Sequence, residues 1–139
     1  MTDPYDLRRF VAAQQGVYDA ALSELRAGRK TSHWMWFVFP QIAGLGRSPI
    51  AQRYAITSLA EAESYLAHPL LGPRLLDCAR ILTQLSGRTA REIFGPTDAQ
   101  KLQSSMTLFA RAADEPSVFG EVLAQYFDGV EDAGTLQKL

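Results

Sequence analysis

Cysteine is nearly absent from this 139-residue chain: Cys78 is the single one, so the sequence holds no internal disulfide and no cysteine cluster for zinc. That usage fits a reducing cytosol. No stretch approaches the ~18 uninterrupted apolar residues of a membrane span, and Met1 to Asp6 lacks the apolar core of a signal peptide. Net charge is nearly absent too. The 14 Lys and Arg against 15 Asp and Glu leave −1, which argues against a general binder of nucleic acid or membrane surface. Metal ligands are sparse, since His33 and His68 stand far apart with no carboxylate or Cys one helical turn from either. Strand signals are scarce as well. No long alternation of apolar and polar residues occurs, and no Asn-Gly or Asp-Gly turn joins two such runs.

Apolar content is not scarce. At 47% hydrophobic and 21% charged, the chain has enough to close one core, and disorder is excluded as the main state. The sequence predicts an all-α fold: a compact single-domain bundle of about seven or eight short helices over residues 1–139. Leu7, Phe10, Val11 and Gln14 form one stripe after Asp3-Pro4; Gly16 interrupts it, and Tyr18, Leu22 and Leu25 renew it until Gly28. Ser58-Leu59-Ala60-Glu61 and Thr89-Ala90-Arg91-Glu92 both fit the capping box, in which hydroxyl and carboxylate each satisfy an orphan backbone donor. A helix opens around Pro73 and stops at Gly87. The helix after Thr89 ends at Gly95-Pro96, and a longer one follows from Thr97 or Asp98 to about Ala113. Pro116 starts another, with Gly129 after it, and Asp132 to Leu139 can form a last short helix. Trp34 to Phe39 is ambiguous: its aromatic and β-branched content favours a strand, whereas Ser32 as cap and Pro40 as stop favour a short buried helix.

Charge is unevenly placed. Between Glu24 and Glu61 there is no carboxylate, yet Arg26, Arg29, Lys30, Arg47 and Arg53 give that interval a formal +5, with His33 beside them. From Asp114 onward six carboxylates face Lys138 alone. Either these are two solvated surfaces of opposite sign, or the basic interval recognises an anion locally. The interval holds both Trp, and also Gly44-Leu45-Gly46-Arg47-Ser48-Pro49, where a glycine turn precedes a helix start. Such a turn can aim backbone N–H groups at a phosphate, with Arg47 closing the site, although it matches neither the dinucleotide fingerprint nor the P-loop.

Candidate ligand-binding residues are therefore Arg29, Lys30, Trp34, Trp36, Gln41, Gly44, Gly46 and Arg47. Trp34 and Trp36 suit either core packing or stacking on a ligand ring, and Gln41 either buried backbone groups or a ligand. Candidate catalytic residues are His33, Lys101 and Ser105. Histidine is the side chain that exchanges protons near neutral pH, and Lys with Ser is a known nucleophile pairing. Asp98, Lys101 and Ser105 share one helical face at i, i+3, i+7, where an Asp98–Lys101 surface pair is the plain alternative. No metal ligands are assigned and no cofactor is identified. Cys78 falls inside the amphipathic run Leu75 to Leu82, where a buried inert thiol is expected.

Several blocks carry a family resemblance: Asp6 to Gln14, Gly28 to Gln41 with its His-Trp-Met-Trp-Phe core, Gly44-Leu45-Gly46, Ile93-Phe94-Gly95, and Lys101 to Phe109 with Ser-Ser-Met-Thr-Leu-Phe. With these the chain strongly resembles the bacterial family catalogued as domain of unknown function 1810, over nearly its whole length. The resemblance implies a compact, mostly helical domain and no established reaction. Members are sometimes labelled calpastatin, an inhibitor of a calcium-dependent protease; calpastatins are long, disordered and repeat-bearing, whereas this composition is that of a folded domain.

Two functions follow as expectations. One is a small-molecule site for a phosphate-bearing or nucleotide-like ligand at a basic aromatic pocket. The other is a protein-interaction or regulatory module whose basic surface binds an acidic partner. Nucleic acid fits less well, because five basic residues grip few phosphates and the acidic C-terminal region opposes it. Whether Arg29, His33, Lys101 and Ser105 converge on one concavity separates the two readings.

Overall fold

The computed structural model describes residues 3–139; Met1 and Thr2, the first residues of the segment read for a leader, lie outside them. Among these described residues nine helices follow one another: α1 (Arg8–Gln14), α2 (Tyr18–Arg26), α3 (Met35–Val38), α4 (Pro49–Arg53), α5 (Leu59–Ala67), α6 (Leu71–Gln84), α7 (Ala90–Ala112), α8 (Val118–Phe127) and α9 (Ala133–Leu136). Among the described residues there is no strand, only an isolated parallel bridge between Ile42 and Ile56. The fold is all-α, and none of these helices is long and apolar enough to cross a membrane.

Capping chemistry sets most boundaries. Ser48, Ser58, Thr89, Ser117 and Asp132 each accept a backbone N–H three residues on, at the starts of α4, α5, α7, α8 and α9. At Thr89 the box is reciprocal, with Glu92 accepting the Thr89 N–H. At Ser58 only half of it forms. Glu61 turns inward and accepts from the Thr57 N–H and hydroxyl instead. The first helix begins later than Asp3-Pro4 suggests, because the Asp3 carboxylate accepts from the N–H groups of Leu7 and Arg8 and delays its start to Arg8. The ambiguous aromatic run is the short helix α3. Its cap is not Ser32, whose hydroxyl is bonded elsewhere, but Trp34, which uses no side-chain cap.

α7 is the spine, packed against α5, α8 and α9. From Ser104 to Ala110 seven consecutive residues are buried, so this segment is enclosed on every side. Its small polar residues permit that closeness by bonding backwards: the Ser104 hydroxyl shares its proton between the Gln100 carbonyl at 3.2 Å and Asp132 Oδ2 at 3.0 Å, and the Thr107 hydroxyl donates to the carbonyl of Gln103. Gly95 breaks the helix at φ 81°, ψ 166°, and Pro96 opens the longer portion, so the stop and restart read from Gly95-Pro96 become one bent element. At the junction of α5 and α6, a Cβ on Gly72 would stand 2.1 Å from the Leu66 carbonyl oxygen; only glycine fits there.

Arg9 fastens the N-terminal region to the rest. All five of its N–H donors are used: on the carbonyls of Tyr5, Asp6, Arg53 and Ala55, and on Glu61 at 2.9 Å. Glu61 is almost wholly buried. A buried pair gains little over an apolar replacement of both partners, but removing one strands the other. Arg9→Ala is therefore expected to destabilise the protein by about 3 kcal/mol, measured by urea unfolding; a loss no larger than that of an exposed arginine such as Arg8→Ala would contradict this role.

Candidate functional site

The basic interval is shaped by the carboxylate at its N-terminal edge. Gly28, at φ 73°, turns the chain out of α2, and Lys30 N–H donates to the Ile93 carbonyl, laying the loop along α7. Glu24 then accepts from the N–H groups of Thr31 and Ser32, the Ser32 hydroxyl and the Trp34 indole N–H at 2.9 Å. Burial works to raise the Glu24 pKa, but these hydrogen bonds outweigh it and lower it to about 2.

Beyond this clamp stands a ladder of charges and rings. Asp98, early in the second portion of α7, accepts the Lys30 ammonium at 2.8 Å through one oxygen and the Lys101 ammonium at 3.5 Å through the other. Lys30 Nζ lies 5.1 Å from the centre of the Trp34 ring, and Lys101 Nζ lies 4.8 Å from that of Trp36. Two lysines thus share one carboxylate, each resting on its own indole. The inner pair is buried, with the Lys30 side chain 7% exposed and Trp34 only 1%. The outer pair is half-buried and faces two hollows.

One hollow, of about 340 Å³, is lined by His33, Met35, Trp36, Phe94, Gly95, Pro96, Thr97, Asp98 and Lys101. The other, of about 390 Å³, lies beside Gln41, Leu45, Gly46, Thr97, Gln100, Lys101, Ser104, Asp132 and Gly134. Thr97 and Lys101 belong to both walls, so the two hollows are neighbours on the surface on either side of Lys101, and the pair is termed the cleft. The kink at Gly95 turns the N-terminal end of the longer α7 portion toward the first hollow, a favourable place for negative charge.

Set against the sequence-based candidates, the structure brings together His33, Trp36, Gln41, Gly46 and Lys101 in this cleft. It does not bring the others. Arg29 and Arg47 are exposed and line neither hollow. Lys30 is held internally by Asp98, and Trp34 packs among Phe39 and Phe94 rather than presenting a face. The glycines of the turn serve packing: a Cβ on Gly46 would stand 2.5 Å from that of Ala51, and one on Gly44, at φ 97°, would meet the Lys138 side chain. Ser48 does cap α4, but its hydroxyl is committed to the Ala51 N–H. Ser105 parts company with Lys101. Its side chain is fully buried, and its hydroxyl is without a hydrogen-bond partner among the described residues. Ser105 stands four positions after Lys101, about 40° past one full turn, and at that angle on α7 its side chain meets the core. Cys78 is buried, and burial pushes its thiol up to about 12.

Thr97, Gln100 and Asp132 are site residues that the sequence reading missed. The signal for Thr97 was the Gly95-Pro96 break. Asp132 approaches from the far end of the chain, where it caps α9 and its Oδ2 accepts from Ser104 and Thr135.

Two predictions follow from this geometry. Because the folded Glu24 pKa is depressed, its stabilising contribution is present above the unfolded value of 4.5 and fades as pH falls toward about 2. Glu24→Gln should therefore be less stable than wild type at pH 7 and converge on it between pH 4.5 and about 2, with a changed tryptophan emission; a pH-independent gap would contradict the clamp. Ser105→Ala removes a buried hydroxyl that has no partner, and is expected to leave stability unchanged or raise it by about 1 kcal/mol in thermal unfolding.

No curated protein matches this chain. Among solved structures, that of the conserved hypothetical protein Rv1873 from Mycobacterium tuberculosis is similar: 58% identical, covering 99% of this chain and 98% of that one, with a TM-score of 0.97. The model of the family described as "Protein of unknown function (DUF1810)" matches residues 4–139. With that match spanning all but the first three residues, the chain belongs to the DUF1810 family.

Proposed function

We propose that the protein binds a small phosphate-bearing molecule in the cleft divided by Lys101. The observation that carries this reading is convergence: His33, Trp36, Thr97 and Lys101, from two segments more than fifty residues apart, line one concavity beside the N-terminal end of a long helical segment. Lys101 supplies the local positive charge. Its ammonium is only loosely paired with Asp98, at 3.5 Å, while Lys30 takes the tighter contact at 2.8 Å. Lys30 therefore offsets the carboxylate, which leaves the outer ammonium free to meet an anion. The Thr97 hydroxyl and the helix end add donors, and Trp36 with Met35 gives an apolar wall for the organic part of the ligand. A planar base is accommodated on that wall as readily as an aliphatic chain. His33, exposed at the rim, is the group placed to exchange a proton with a bound molecule.

The test is a thermal-shift and calorimetric panel of inorganic phosphate, mononucleotides and sugar phosphates. Binding is expected for at least one of them, weakened about tenfold or more by Lys101→Ala. Arg29→Ala and Arg47→Ala should leave it unchanged, because both lie outside the cleft. An absence of binding across the panel, or a loss in the Arg29 and Arg47 variants with none at Lys101, would refute the assignment.

A further inference from the structure

We infer that the second hollow is a hydroxyl-reading subsite, which makes a sugar phosphate the class of ligand that fills the whole cleft. The inference rests on the anion reading of Lys101 given above and adds to it the identity of the organic part.

Gln14, Gln52, Gln103 and Gln125 each donate their side-chain amide to a backbone carbonyl. Gln15, Gln41, Gln84, Gln100 and Gln137 do not, and of these Gln41 and Gln100 lie together. Among the described residues neither side chain makes a hydrogen bond, and both line the hollow of about 390 Å³. The Thr97 hydroxyl likewise has no partner among the described residues; Thr97 and Gln100 are exposed and Gln41 is half-buried, so all three are open to a ligand. Asp132 is half engaged: Oδ2 accepts from Ser104 and Thr135, whereas Oδ1 accepts from nothing among the described residues.

This wall therefore presents two carboxamides, a hydroxyl and one carboxylate oxygen around a space bordered by the ammonium of Lys101. A carboxamide offers a donor pair and an acceptor together, and a carboxylate offers only acceptors. Vicinal hydroxyls, each able to donate and accept, complement that mixture. A second phosphate does not, because Asp132 would repel it. A nucleobase is no better suited, since the hollow has Leu45 and no aromatic ring in its wall. The volume suits a single pentose or hexose ring. With the ring among Gln41, Gln100 and Asp132, its phosphate reaches the Lys101 and Thr97 boundary and the first hollow beyond.

The wall is also held in place. Asp132 is fixed by its own N–H donating to the Thr107 hydroxyl at 2.9 Å and by its cap on α9, and a Cβ on Gly134 would stand 3.2 Å from the Leu45 side chain, so α9 lies close to the turn that carries Leu45. The acceptor is thus positioned before any ligand arrives, which lowers the ordering cost of binding.

Isothermal titration calorimetry with inorganic phosphate, ribose 5-phosphate, glucose 6-phosphate and free ribose tests the inference. At least one sugar phosphate should bind about tenfold or more tightly than inorganic phosphate, with Gln41→Ala and Gln100→Ala each weakening it about threefold to tenfold and leaving inorganic phosphate unaffected. Neither side chain makes a hydrogen bond among the described residues, so these variants are expected to keep the wild-type melting temperature. Phosphate binding that depends on Lys101, with sugar phosphates no tighter, would overturn the hydroxyl subsite and leave the anion site standing. Sugar phosphate binding indifferent to both glutamine variants would also overturn it. Failure of every phosphate compound to bind would overturn both readings together.

Discussion

The cleft depends on one carboxylate, that of Glu24. A loop carrying Arg29, Lys30 and His33 into the side of a helical bundle has backbone donors to satisfy and positive charge to contain. Glu24 meets both needs at once by accepting from two backbone N–H groups, one hydroxyl and one indole. Its position at the end of α2 and the turn at Gly28 put it under the loop that follows. Once Trp34 is held by its indole N–H, the aromatic run can enter the core as α3, and Trp36 is left at the rim. Glu61 plays the matching part at the other end of the interval, where with Arg9 and Thr57 it ties the return of the chain to α1 and α5. The carboxylate-free interval is therefore pinned at both borders by the two carboxylates that define it.

Asp98 carries this organisation into the site. An ion pair between exposed side chains contributes little, but Lys30 is 7% exposed and its ammonium must have a partner. By taking Lys30 on one oxygen, Asp98 anchors the loop to α7; by taking Lys101 more loosely on the other, it holds a second ammonium at the mouth of the cleft. The kink at Gly95 makes this geometry available, because it separates the capped first turn of α7 from the portion that presents Thr97, Asp98 and Lys101 along one side. Structure and chemistry coincide here: the groups that fasten the loop are the same groups that charge the cleft.

Much of the fold was legible from local chemistry. Ser48 and Thr89 announce helix starts because an N-terminal donor three residues on needs an acceptor, and that need is local; Pro116 marks the start of α8 two residues early, since the cap there is Ser117. Gly95-Pro96 likewise announces a break whatever surrounds it. The reading failed where a side chain had two suitors. Ser32 is an adequate cap by type, yet Glu24 claims it; Glu61 matches the capping box, yet burial beside Arg9 turns it to Thr57. Which acceptor wins is decided by how deeply each is buried and by what else competes for it, and neither is written in spacing.

By itself the sequence determined the helical class, the positions of most helix starts, and the concentration of positive charge and indole rings in one interval. These follow from backbone hydrogen bonding and from composition, which act over a few residues. Only the tertiary structure decided which members of that interval meet. Arg29 and Arg47 face outward, Lys30 is paired with Asp98, Trp34 enters the core, and Ser105, next along α7 from Lys101, is turned into the core. In their place stand Thr97, Gln100 and Asp132, the last brought from near the chain's end. Convergence is a property of packing: a hollow exists where two surfaces meet imperfectly, and residues distant in sequence share it because the helices carrying them press on the same core.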